Sequence, residues 1–185
     1  MKTNTNWLLA KLFIAGSIIL FIYSCGGGSN NNSTVSRQSC INSIDSAEAK
    51  LKQTMTPDAE LYNTAITSYL KFADNFPHDT LAPVYLFNAA NIAMSLTQYQ
   101  RSINLYDTIT VKYPTFRKAP DCVFIRGFIY DDKLKDTAKA RVMYQQVIDK
   151  YPNTPLAEQA RAAISILGKS YDEIIKGFEE KNKKK

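Results

Sequence analysis

Apolar positions along the chain fall into three regimes. From Leu12 to Tyr23 they run almost unbroken, with Ser17 the polar exception. From about Ile41 onward they recur three and four residues apart, the spacing of helices with one buried face. Between these lies "GGGSNNNSTVSRQS", Gly26 to Ser39, with almost no apolar residue and Arg37 as its one charge. In the body, "LAPVYLFNAANIAMSL" and "APDCVFIRGFIYDD" read as helices, followed by the short polar turns "TQ" and "KLKD". The last segment, "LGKSYDEIIKGFEEKNKKK", predicts a further helix. Gly168 ends the one before it, Ser170 and Glu173 form a capping box, and Ile174, Ile175 and Phe178 make an apolar stripe opposite a charged face.

The helical pattern repeats. Pro77, Pro114 and Pro152 each follow an aromatic residue, at spacings of 37 and 38. Twelve residues before them stand Ala65, Ser102 and Ala140, and eight before them Tyr69, Tyr106 and Tyr144. Five residues after them come Ala82, Ala119 and Ala157. A small residue and a ring one turn apart share a helix face, so a partner helix can approach the first and be filled out by the second. The aromatic-proline pair ends each helix, because proline disfavours helical geometry in the residue before it. Pro83, Pro120 and Pro155 fall at the starts of the next helices, where a missing N–H costs nothing, and Thr154 is placed to cap one of them. Ala90, Gly127 and Ser165 are expected at one equivalent close crossing in successive first helices.

The Gly127-x2-Tyr130, Ala140-x3-Tyr144 and Pro152 landmarks resemble the tetratricopeptide repeat. The likeness is most specific from Lys118 to Pro152 and weakest before Pro57. It implies an all-α fold: an α-solenoid of about three to four helical hairpins over residues 41–185, closed by a C-terminal capping helix. The stretch "RGFIYDDKLKDTAKARVMYQQVIDKYPNTPLAEQA" in particular resembles the periplasmic branch of barrel-assembly lipoproteins and Tol-associated cell-division coordinators. In that family the first helix of each hairpin lines a concave groove for a peptide or a partner's helix. By this resemblance the groove residues are Phe87, Asn91 and Met94 in one unit and Phe124, Phe128 and Asp131 in the next. Rings at that spacing fit a core equally well.

The amino-terminal regime now takes on meaning. Lys2 and Lys11 precede an apolar run shorter than the roughly 20 residues that span a bilayer, which is the pattern of a secretory signal. Ile22-Tyr23-Ser24-Cys25 resembles the lipobox of bacterial lipoproteins. The resemblance implies removal of residues 1–24 and lipidation of Cys25, whose attached acyl chains together hold a membrane stably. Residues 25–40 would then be the lipidated cysteine and a flexible tether with a reach of roughly 20 Å. The glycine after Cys25 and the acid-free tether point, by the same resemblance, to the periplasmic face of the outer membrane.

Composition narrows the function. With 185 residues, 45% of them hydrophobic, the chain builds one core rather than two. Lys2 and Lys11 supply two of the six net positive charges, so a chain beginning at Cys25 carries +4, spread among acidic residues as on a solvated surface rather than a nucleic-acid stripe. His78, the only histidine, sits in a turn after Pro77, and no nucleophile or His/Cys cluster has a partner set; no catalytic residue, metal or cofactor is expected. The adjacent Asp131 and Asp132 diverge on a helix and are followed by Lys133. Pairing of Cys40 with Cys122 stays open, since an oxidising compartment permits a disulfide that spacing alone cannot place. Asp45-Ser46-Ala47, Asp79-Thr80-Leu81, Asp107-Thr108-Ile109 and Asp136-Thr137-Ala138 resemble a bacterial O-glycosylation triplet, but Asp or Thr also caps helices. The expected partners are envelope proteins or peptide segments, with the membrane reached through the lipid. A glycan- or small-ligand-binding lipoprotein of a nutrient-uptake system is the alternative.

Overall fold

The computed structural model describes residues 35–53 and 58–183. The signal segment, Cys25 and the tether as far as residue 34 lie outside the described residues. The rest is helical: α1 Arg37–Gln53, α2 Ala59–Asn75, α3 Ala82–Ser95, α4 Tyr99–Lys112, α5 Ala119–Phe128, α6 Thr137–Lys150, α7 Pro155–Ile166 and α8 Tyr171–Lys183. Each helix from α1 to α6 packs on the next, and α5 also touches α7, which makes the stack an α-solenoid of hairpins. Among the described residues no helix is long and apolar enough to cross a membrane.

The first helix begins at Arg37, ahead of the expected boundary at residue 41. Ser36 Oγ accepts from the Ser39 amide, and Cys40, Ile44 and Ala47 are buried against α2 and α3. A serine-rich composition read as tether is drawn into helix because its few apolar groups find a partner surface. A clasp fixes this end: Arg37 donates from Nε to Asp79 Oδ2 (2.6 Å) and lies 5.8 Å from the Phe72 ring centroid. Asp79 also accepts from the Leu81 amide (2.9 Å).

The repeat landmarks occupy equivalent places. Ala65, Ser102 and Ala140 are fully buried, as are Tyr69, Tyr106 and Tyr144 one turn later. Phe76, Tyr113 and Tyr151 end α2, α4 and α6 with nearly identical backbone angles, φ −129°, −130° and −133°, and each amide still bonds back four residues. Asp58, Asp136 and Thr154 cap α2, α6 and α7 through their side chains, whereas α3 and α5 begin on Pro83 and Pro120 without one. Gly168 adopts φ +78° after α7, and Ser170 and Glu173 cap α8 reciprocally. Ser165 departs from expectation: Ala90 and Gly127 are buried but Ser165 is exposed, because α8 leaves that face of α7 uncovered.

The unequal spacing, 37 then 38, has a local cause. In the α3 unit the Leu96 amide donates to the Ile92 carbonyl, four residues back (2.9 Å); in the α5 unit the matching Leu134 amide donates to Ile129, five back (3.0 Å). Residues Ile129–Lys133 form a π-helical turn that continues α5 and absorbs one extra residue. Thr97 and Lys135, 38 apart, then pass through the same left-handed conformation (φ +59° and +54°).

Two outcomes follow. A Cβ at Gly127 would lie 2.8 Å from Cδ1 and Cε1 of the buried Tyr144 ring and 3.3 Å from Met143 Cβ. Gly127→Ala is therefore expected to lower the unfolding midpoint, since overpacking of about 1–3 kcal/mol exceeds the roughly 1 kcal/mol gained in helix propensity. Gly177→Ala on α8, where a Cβ meets nothing within 4 Å, is expected to stabilise instead. Separately, the Arg37 hydrogen bond and the Leu81 amide hold the Asp79 carboxyl below its ordinary range. A depressed folded pKa means that the clasp is intact above about pH 4 and is lost as pH falls through the lower folded value. Amide exchange in the first turn of α1 should accelerate below about pH 4, and Asp79→Asn should remove that dependence.

Candidate docking face on the third hairpin

The six groove residues suggested by resemblance divide in the structure. Phe87 lies edge-on to Tyr106 and Phe116, with ring centroids 5.7 and 6.4 Å away, and Lys118 Nζ stands 4.4 Å from its centroid. Asn91 Oδ1 accepts from the Tyr106 hydroxyl (2.6 Å), and Met94 is half-buried against the core that holds Ile103 and Tyr106. Phe124 packs on Tyr144 with centroids 5.3 Å apart. These four are occupied inside or between hairpins. Phe128 and Asp131 are differently placed: Phe128 is 40% exposed, and Asp131 is half-buried at the π turn. The extra residue also shifts the register. Counted from the start of α5, Asp131 matches Met94; counted back from Leu134, the match is Asp132.

Asp131 and Asp132 have separate surroundings. Asp132 pairs with Lys133 (2.7 Å) and Lys135 (3.7 Å). Among the described residues no hydrogen bond or ion pair reaches the Asp131 carboxylate. Burial raises its carboxyl above the usual range, against the pull of Lys135. Burial, helped by the carboxylates of Asp131 and Asp132, pushes the Tyr144 hydroxyl up to about 12.

Other candidate groups are spoken for or solvated. His78 is exposed in its turn. Cys40 and Cys122 are buried free thiols in different core clusters, so the open question of their pairing resolves to no disulfide between them. Burial pushes Cys122 to about 12, which keeps it a thiol at neutral pH. Of the four Asp-Ser/Thr triplets, Asp136 caps α6 and Asp79 accepts from the Leu81 amide in the turn before α3, while Ser46, Thr80 and Thr137 are exposed. A serine- and threonine-lined depression of 640 Å³ runs along α1 and α2 from Ser36 to Ser68 and contains no aromatic ring.

One interaction had little signal in the sequence. Arg126, on the apolar α5, reaches back to Asp107 on α4 (2.7 Å) with its side chain mostly covered, and its Nε is buried without a partner. An arginine amid "VFIRGFIY" is the only hint, and nothing in the sequence names Asp107 as its mate.

Residues 121–154 match the family model described as Tetratricopeptide repeat. The similarity to a tetratricopeptide repeat thus falls on α5 and α6. The match begins three residues after Lys118 and ends just past Pro152, which is the unit whose motifs were most specific. A solved tetratricopeptide repeat protein from Parabacteroides merdae ATCC 43184 is similar at 14% identity and a TM-score of 0.44 over 69% of this chain. The chain covers 53% of that protein, about half its length. None of the curated proteins matches the sequence.

The Asn91–Tyr106 bond separates a packing role from a docking one. Asn91→Ala leaves the buried Tyr106 hydroxyl without its acceptor and is expected to destabilise by about 1–3 kcal/mol in urea unfolding. A purely docking residue would leave the unfolding midpoint in place.

Proposed function

We propose that the protein is a lipid-anchored, non-enzymatic adaptor on the periplasmic face of the outer membrane, holding other envelope proteins through the outer surface of its helical repeats. The observation that carries the reading is the third hairpin. It matches a repeat whose fold serves protein–protein interaction, and it leaves the large Phe128 ring exposed near a carboxylate that makes no ion pair among the described residues. An exposed ring next to a polar group that lacks a partner is the composition of an interface centre rather than of an ordinary solvated face. The lipobox-like Ile22 to Cys25 supports the anchor, and the glycine-rich stretch behind it supports a tether that lets the hairpins reach partners near the membrane. A role in outer-membrane protein assembly or in envelope organisation suits such a scaffold, whose work is to bring other chains together.

Substituting Cys25 by alanine is expected to abolish palmitate labelling and move the protein from the membrane to the soluble fraction. Unchanged partition would sink the anchor. Protease added to intact cells should spare a periplasm-facing chain. For docking, Phe128→Ala is the cleaner probe, because Phe124 packs on Tyr144 and its loss would damage the fold. Crosslinked envelope proteins recovered with the native chain should be lost with Phe128→Ala while the unfolding midpoint is held.

A further inference from the structure

The three hairpins treat their buried tyrosine differently. Tyr69 donates to Glu48 Oε1 (2.7 Å) and Tyr106 to Asn91 Oδ1 (2.6 Å), in each case a side chain of the preceding first helix. Tyr144, only 2% exposed, makes no such bond among the described residues. The reason lies one element away. Phe128 stands where Asn91 stands in the previous unit, 37 residues on, and offers a ring in place of an acceptor. The π turn then brings Asp131 and Asp132 into the electrostatic surroundings of Tyr144. Asp132 forms ion pairs with Lys133 and Lys135, whereas Asp131 forms none among the described residues and feels Lys135 only at longer range. The Phe128 ring already draws a cation, with Lys133 Nζ 5.7 Å from its centroid.

We propose that Asp131, the Tyr144 hydroxyl and the Phe128 ring together receive a cationic side chain, an arginine, carried by a segment of a protein partner. Arginine is chosen over lysine on chemistry. Its planar guanidinium stacks on a ring and meets a carboxylate through two N–H groups at once, and its remaining donors can reach a hydroxyl oxygen. A half-buried carboxylate that makes no direct ion pair among the described residues also has acceptor capacity left for a visiting cation. This inference rests on reading the same face as the docking surface, and it adds the chemistry of what docks there.

The test uses the full ¹⁵N-labelled chain and two capped tripeptides, acetyl-Ala-Arg-Ala-amide and its citrulline counterpart, which has the same shape without the charge. The arginine peptide is expected to shift the amides from Gly127 to Lys133 and to bind about tenfold more tightly than the citrulline peptide. Asp131→Asn should remove that preference without lowering the unfolding midpoint. Phe128→Asn, which restores the acceptor found in the previous hairpin, should weaken arginine binding as the Tyr144 hydroxyl becomes engaged. No shift in these amides, equal binding of the two peptides, or an unchanged preference in Asp131→Asn would overturn the proposal, even if envelope partners are still captured through this face. Arginine-selective shifts with no partner captured would uphold the cation receptor and count against the adaptor reading.

Discussion

Every hairpin of this protein depends on a close crossing between a small residue and a tyrosine ring. Ala65, Ser102 and Ala140 let the two helices of a unit approach, and the tyrosine one turn later fills the space that the crossing leaves. In the third unit the geometry is tight enough that the first helix must offer glycine, since even one methyl group at Gly127 would overlap the Tyr144 ring. Ser102 adds a hydrogen bond to the same contact, its hydroxyl donating to the Ala90 carbonyl at 2.8 Å. The helix ends, the turn prolines and the alanines that start the next helix all serve to bring successive crossings into register.

The ring is buried in all three units, and what its hydroxyl meets is where the hairpins diverge. Two units answer with a polar side chain on the first helix; the third supplies Phe128 and a π turn instead. A ring in place of the acceptor, followed by one inserted residue, thus changes a closed internal contact into a surface with a ring, a hydroxyl and a carboxylate that makes no ion pair among the described residues. The same hairpin is tied to its predecessor by Arg126 and Asp107; the Arg126 side chain is mostly covered and Asp107 half-exposed, so loss of Asp107 would strand the covered guanidinium.

Much of the fold was legible because its signals are local. Proline after an aromatic residue, Ser170 with Glu173, Thr154 before Pro155 and Gly168 after α7 act within a few residues, and each sits where the pattern placed it. The candidate groove was less legible. Phe87, Asn91, Met94 and Phe124 share their helical spacing with Phe128, but whether a ring meets a neighbouring hairpin or solvent depends on how the hairpins stack. The onset of α1 was hidden for a similar reason: Ser36 to Ser39 looks like tether until Cys40 and Ile44 dock on α2.

By itself the sequence determined an all-α solenoid, its repeat period, the ends of its helices and the small-residue and tyrosine pairs on which its hairpins are built, because these follow from backbone preferences and periodicity within single helices. Only the tertiary structure decided that the 38-residue interval holds a π turn, that Arg37 clasps Asp79 and Arg126 meets Asp107, and that Asp131 makes no ion pair among the described residues. Those outcomes depend on residues 19 to 42 positions apart, or on how a carboxylate is covered, and no local preference encodes which distant side chain will stand beside it.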